Sequence, residues 1–120
     1  MMAPSYLSMN KAVDYLGNIQ SVHQLLATLQ DTLAADTLQI DRAIQAQDFV
    51  LLQTKWHQLK GFAPVFCQEA LLVDISRTEK LCHQTTTAEL ASHALQMSMQ
   101  LLTKLQTLQA EVALQLKAAS

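Results

Sequence analysis

Between residues 19 and 116 the apolar side chains recur mostly at intervals of three and four, the spacing that collects them on one face of an α-helix. Val22, Leu25, Leu26, Leu29, Leu33, Leu38, Ile40 and Ile44 predict a helix over residues 19–47, with AADT at 34–37 as its weak stretch and the candidate position of a bend. Asp48 is a good N-cap for a third helix that opens FVLLQTKWHQLKG and is expected to reach about residue 66. Pro64 should kink it, because the proline ring meets the carbonyl of Lys60 and has no N–H to donate. A fourth helix is expected over 69–83 with Leu71, Leu72, Ile75 and Cys82 inward. QTTT at 84–87 reads as a loop. Thr86 followed by Glu89 matches a capping box and opens the last helix. That helix carries Leu90, Leu95, Met97, Leu101, Leu105, Leu108, Val112 and Leu116 and extends to about residue 117. Near the start, Ser8 can cap a short helix over 9–16 that Gly17 and Asn18 end.

Four long amphipathic helices on short connections predict an all-α fold, an antiparallel up-and-down four-helix bundle with a short extra N-terminal helix. The chain reads as a single domain over 1–120, with the short helix at 9–16 and the bundle at 19–117. Composition agrees: half the residues are apolar, while only two are Gly and two Pro. Charged residues are 15%, below the usual quarter, so the outer faces must be built largely from Gln and Thr. A net charge of −2 gives no basic field, and nucleic acid is not an expected partner. No apolar run approaches the ~18 residues that cross a bilayer, so no membrane is expected either. The start MMAPSYLSMNKAVDYL lacks a basic segment followed by an apolar one. The expected compartment is therefore the cytoplasm, with Cys67 and Cys82 reduced and packed as small apolar residues. The Met start and Ser120 end favour an independent protein over a segment of a larger one.

Candidate chemistry concentrates in WHQLKGFAPVFC, residues 56–67. Gly costs about 1 kcal/mol and Pro about 3 kcal/mol inside a helix, so a chain that only packs helices would avoid both here. On a helical wheel Leu52, Trp56, Leu59, Ala63 and Phe66 fall within about 80° and form the core face. His57 lies about 135° from the centre of that face, in the company of Val50, Gln53, Thr54, Gly61 and Pro64. The histidine is expected on the outer surface. Gly61 sits one turn further on the same face, where a side chain would cover the imidazole. Lys60, three residues on, can bring an ammonium beside whatever the imidazole carries. A neutral imidazole is a competent nucleophile near pH 7, and a flexible ammonium suits a phosphoryl group.

His57-Gln58-Leu59-Lys60-Gly61 resembles the H-x-L-K-G signature of histidine-containing phosphotransfer (HPt) domains, four-helix bundles that pass phosphoryl groups between receiver domains in phosphorelays. The resemblance covers most of the chain: a capped helix carries the motif near its middle, a long helix precedes it, and two helices follow. It implies that His57 is the phosphoacceptor on Nε2, that Lys60 neutralises phosphoryl charge, and that Gly61 lets the receiver approach. It implies a cytoplasmic phosphocarrier, not an enzyme, with response-regulator receiver domains or a hybrid sensor histidine kinase as partners, and a monomer. Val50, Gln53, Thr54 and Pro64 would border the docking surface. The chain has neither a Gly-rich phosphate loop nor a carboxylate cluster, so it needs no cofactor of its own; Mg²⁺ is expected on the partner receiver.

After Gly61 the chain departs from the family pattern: Phe62 replaces a small residue, Pro64 interrupts the helix, Cys67 stands where a second glycine is common, and Trp56 replaces a common alanine. These departures leave open a degenerate HPt-like interaction module that binds signalling partners without carrying phosphate. Two other readings fit less well. The H-E-[L/I]-[K/R]-x-P motif of histidine-kinase dimerisation domains needs proline five residues after the histidine, where Phe62 stands. Cys82 and His83 point about 100° apart and do not share a metal easily, and His23 and His93 have no partner at ligand spacing. They read as surface or satisfied residues.

Overall fold

The protein is described here by a computed structural model covering residues 5–119. The two ends of the expected 1–120 domain lie outside the described residues. The elements are α1 (Met9–Leu16), α2 (Ile19–Ala46), α3 (Phe49–Phe62), a 3₁₀ turn (Ala63–Val65), α4 (Glu69–His83) and α5 (Ala88–Ala119), with no strand among the described residues. Several boundaries have a local cause. Ser8 Oγ accepts from the Lys11 N–H, Asn18 accepts from Ser21, and Asp48 accepts from Leu51, each satisfying an otherwise orphaned helix donor. Gly17 ends α1 at φ 89° and Gln47 ends α2 at φ 54°, both in the left-handed region. At the start of α5 the capping hydroxyl is Thr87, which accepts from the Leu90 N–H at 3.1 Å, in place of the expected Thr86. One residue of loop length decides which threonine reaches the free amides.

α2 packs on α5 and α3, α4 packs on α3 and α5, and α1 packs on α2. α5 has 32 residues, so at about 1.5 Å per residue it spans the 47 Å long dimension of the molecule. One hydrophobic cluster joins all five helices. From α2 it takes Val22, Leu26, Leu29, Leu33, Ile40 and Ile44, and from α5 Ala94, Leu101, Leu105, Leu108 and Val112, with the polar Thr37 and Ser98 buried beside them. Two expectations for α2 change. The helix runs unbroken through AADT, and Leu38 is 51% exposed while Thr37 takes the core position. The stripe already fixed by Leu33 and Ile40 passes through position 37, and Leu38 is rotated about 100° off it. The Thr37 hydroxyl bonds back to the Ala34 carbonyl at 3.2 Å, which makes its burial tolerable.

The end of α3 also differs from expectation. The α-helix does not continue kinked to residue 66: it stops at Phe62, and Pro64 lies in the 3₁₀ turn. Pro64 cannot donate to the Lys60 carbonyl, and the amides of Phe66 and Cys67 both turn to Ala63 O at 3.1 and 2.9 Å. The N-terminal segment takes over from there. Ser8 N–H donates to Phe66 O at 2.7 Å, Gln68 N–H donates to Tyr6 O at 2.8 Å, and Lys11 Nζ donates to Cys67 O at 2.7 Å. Glu111 on α5 holds the same segment by accepting from Tyr6 N and Ser5 Oγ.

Candidate functional site

The wheel of α3 is reproduced by the structure. Leu52, Trp56, Leu59, Ala63 and Phe66 are all at most 2% exposed. Trp56 is seated by its indole N–H, which donates to the buried Ser98 Oγ of α5 at 3.2 Å, with Cys82 Sγ 3.5 Å from the same hydroxyl. This seating fixes the rotation of α3, and so which residues it turns outward. His57, the next residue along, is 71% exposed as a side chain.

α4 supplies a partner that the sequence did not reveal. Glu79 reaches across the α3–α4 contact and places Oε1 3.0 Å from His57 Nδ1 and Oε2 3.0 Å from Lys60 Nζ. Its side chain is only 14% exposed. Oε2 is buried, and its contact with Lys60 is an ion pair off the ideal hydrogen-bond direction. Burial pushes the Glu79 carboxyl up, but the hydrogen bond from His57 and the pull of the Lys60 ammonium outweigh it and hold the group below its ordinary value. Glu79 is therefore ionised near neutral pH and can only accept. It follows that Nδ1 carries the proton of this hydrogen bond, and that in the neutral ring Nε2 is the nitrogen with the lone pair. Nε2 has no hydrogen-bond partner among the described residues. The Lys60 side chain is 47% exposed, so its ammonium is tethered to Glu79 and still open to the surface.

Gly61 has an ordinary helical backbone, and a Cβ built there would meet nothing within 4 Å. Neither conformation nor internal packing requires a glycine. The expected neighbours divide into two sets. Val50, Gln53 and Thr54 line an open depression together with His57 and Gln58, with Val50 77% exposed. Pro64 is exposed too, but on the other side of Lys60, where it lines a separate shallow cleft with Lys60, Leu72 and Val73. Phe62 turns toward α1 and α2, stacks on Phe66 with ring centroids 5.8 Å apart, and lines an apolar groove with Tyr15, Leu16 and Leu25.

His83 and His93 are exposed, His23 is half-buried, and Cys67 and Cys82 are buried free thiols. Burial, only partly offset by Lys11, pushes the Cys67 thiol up to about 12. Among the described residues no three His, Cys, Asp or Glu side chains come together as a metal site, and no helix is long and apolar enough to cross a membrane.

Compared with known proteins, the chain matches no family model, no curated protein and no solved structure at a significant level.

Proposed function

We propose that this chain is a phosphorelay intermediate of the HPt kind, which accepts a phosphoryl group on His57 Nε2 from a receiver-domain aspartate and passes it to another receiver. The observation that carries the reading is an exposed imidazole whose Nδ1 is tied to an ionised carboxylate at 3.0 Å while Nε2 has no hydrogen-bond partner among the described residues. A carboxylate on one ring nitrogen fixes the tautomer and leaves the other nitrogen as the nucleophile. Lys60 supplies the cation for an arriving phosphoryl group, and the open space at Gly61 admits a partner surface. In this reading α2 to α5 form an antiparallel up-and-down four-helix bundle with α1 packed outside it. The closed ring of neighbours α2–α3–α4–α5 and the short connections favour that arrangement.

The chain acts as a carrier and not as an enzyme with its own turnover. The donor receiver brings the divalent cation that stabilises the transferring group. Val50, Gln53 and Thr54 lie at the interface beside the imidazole, and Pro64 borders it beyond Lys60. The test is phosphoryl transfer from a panel of phosphorylated receiver domains to the wild type and to His57→Gln. Acid-labile label on the wild type that is absent from His57→Gln is the expected result. Binding to receivers without any transfer would overturn the carrier reading in favour of an interaction module.

A further inference from the structure

Glu79 makes a second demand on the chemistry, one that applies once the histidine is loaded. When the Nε2 lone pair forms the N–P bond, the P–O bond to the donor aspartate breaks and its electron pair leaves with that carboxylate. No proton has to move, so the ring that still carries Nδ1–H becomes a phosphoimidazolium with a positive charge. Two fates follow. If the ring keeps the Nδ1 proton, attack by the acceptor aspartate breaks the P–N bond, returns its electron pair to Nε2 and expels neutral imidazole. If the ring has lost the proton, the same step must expel imidazolate, a far poorer leaving group.

We propose that Glu79 is the positioning residue that keeps the Nδ1 proton on the phosphorylated ring, so that His57 discharges as neutral imidazole at and above neutral pH. The inference rests on the phosphocarrier reading and deepens it. Its geometry is the 3.0 Å contact from Glu79 Oε1 to Nδ1, made by a side chain only 14% exposed. A fixed, desolvated anion beside the ring nitrogen favours the protonated ring by direct attraction. The same carboxylate also answers Lys60 at 3.0 Å. When Lys60 swings to the phosphoryl oxygens, all of the Glu79 charge faces the imidazolium. The other charges on this face are weaker competitors. Lys80 and His83 of α4 line the cleft beyond Glu79, and from α2 Asp36 reaches α3 only at Lys55, where the two are paired.

The experiment loads His57 chemically with phosphoramidate, which needs no receiver, using His57→Gln as the blank. Phosphorus and ring-nitrogen NMR then report which nitrogen is phosphorylated and the pH at which half of the loaded rings have lost the Nδ1 proton. The expected result is phosphate on Nε2 and a midpoint about one pH unit or more higher in the wild type than in Glu79→Gln, which keeps an acceptor oxygen but no charge. Superimposed titrations, phosphate on Nδ1, or failure of the wild type to load would each overturn the proposal. Should Glu79→Gln not fold, Lys60→Met tests the same balance. Removing the ammonium that shares the carboxylate moves the midpoint up, and an unchanged or lower midpoint overturns the inference. Because no receiver takes part, a failed relay assay and a failed ring titration remain separate results.

Discussion

Replacing Gly61 should make the fold more stable and the protein less able to transfer phosphate. In a helix interior Gly→Ala is worth about 1 kcal/mol, and because Gly61 is the penultimate residue of α3 a fair expectation is about 0.5–1 kcal/mol. The new methyl meets nothing within 4 Å, so no steric term opposes the gain. Unfolding entropy near 2.1 cal/mol/K per residue gives roughly 0.25 kcal/mol/K for a chain of 120 residues, and hence a rise in Tm of about 2–4 °C. The opposite effect appears only against a partner. Gly61→Ala should slow transfer from a phosphorylated receiver modestly, and Gly61→Gln should slow it at least about tenfold, the equivalent of about 1.4 kcal/mol. Calorimetry and single-turnover transfer on Gly61→Ala, Gly61→Ser and Gly61→Gln measure both quantities on the same samples. A fall in Tm for Gly61→Ala would refute the packing argument. Wild-type transfer by Gly61→Gln would refute the idea that the space is kept for a partner.

Trp56→Phe removes the indole donor to Ser98 and opens a small void, so the urea midpoint should drop by the equivalent of about 1–3 kcal/mol while phosphorylation of His57 is unaffected. Glu79 is held below its ordinary value of 4.5, so the unfolded chain binds more protons than the folded one in acid. Its contribution is present above 4.5 and fades as pH falls through the lower folded value, so urea midpoints of the wild type and Glu79→Gln should converge as pH falls below 4.5; parallel curves would contradict this. Cys67, pushed up to about 12 and buried, should resist alkylation at pH 8 in the folded protein and react only at the rate of unfolding, as mass spectrometry with and without urea can check. Ser8→Ala removes the cap of α1 and should cost about 1 kcal/mol, read as a lower Tm.

How much of this was legible depends on how far apart the interacting residues lie in sequence. The core face of α3 and the outward direction of His57 follow from a period of 3.6 within one helix, and they came out as expected. His57, Lys60 and Gly61 lie within five residues and could be read together. Glu79 is 22 residues from His57, on a helix whose pairing partner the sequence does not state. One signal was present: Glu79 stands four residues after Ile75 and three before Cys82, so a carboxylate occupies a nearly inward register and requires a partner. Leu38 reads as a core position because it is apolar, although the stripe passes through Thr37. The stop of α3 at Phe62 was illegible for a different reason, because the backbone just after Pro64 pairs with Ser8 and Tyr6, 58 and 62 positions earlier in the chain.

That last arrangement gives the start of the chain a mechanical meaning. Tyr6 and Ser8 are stitched to Gln68 and Phe66, so the stretch that follows the 3₁₀ turn is held by residues before α1 as well as by its own bonds to Ala63 O. Tension applied to residue 5 would be carried to Glu111 on α5 and, through Tyr6 and Ser8, to residues 66–68. A bulky fusion placed directly before Ser5 would therefore load both α5 and the connection between the 3₁₀ turn and α4.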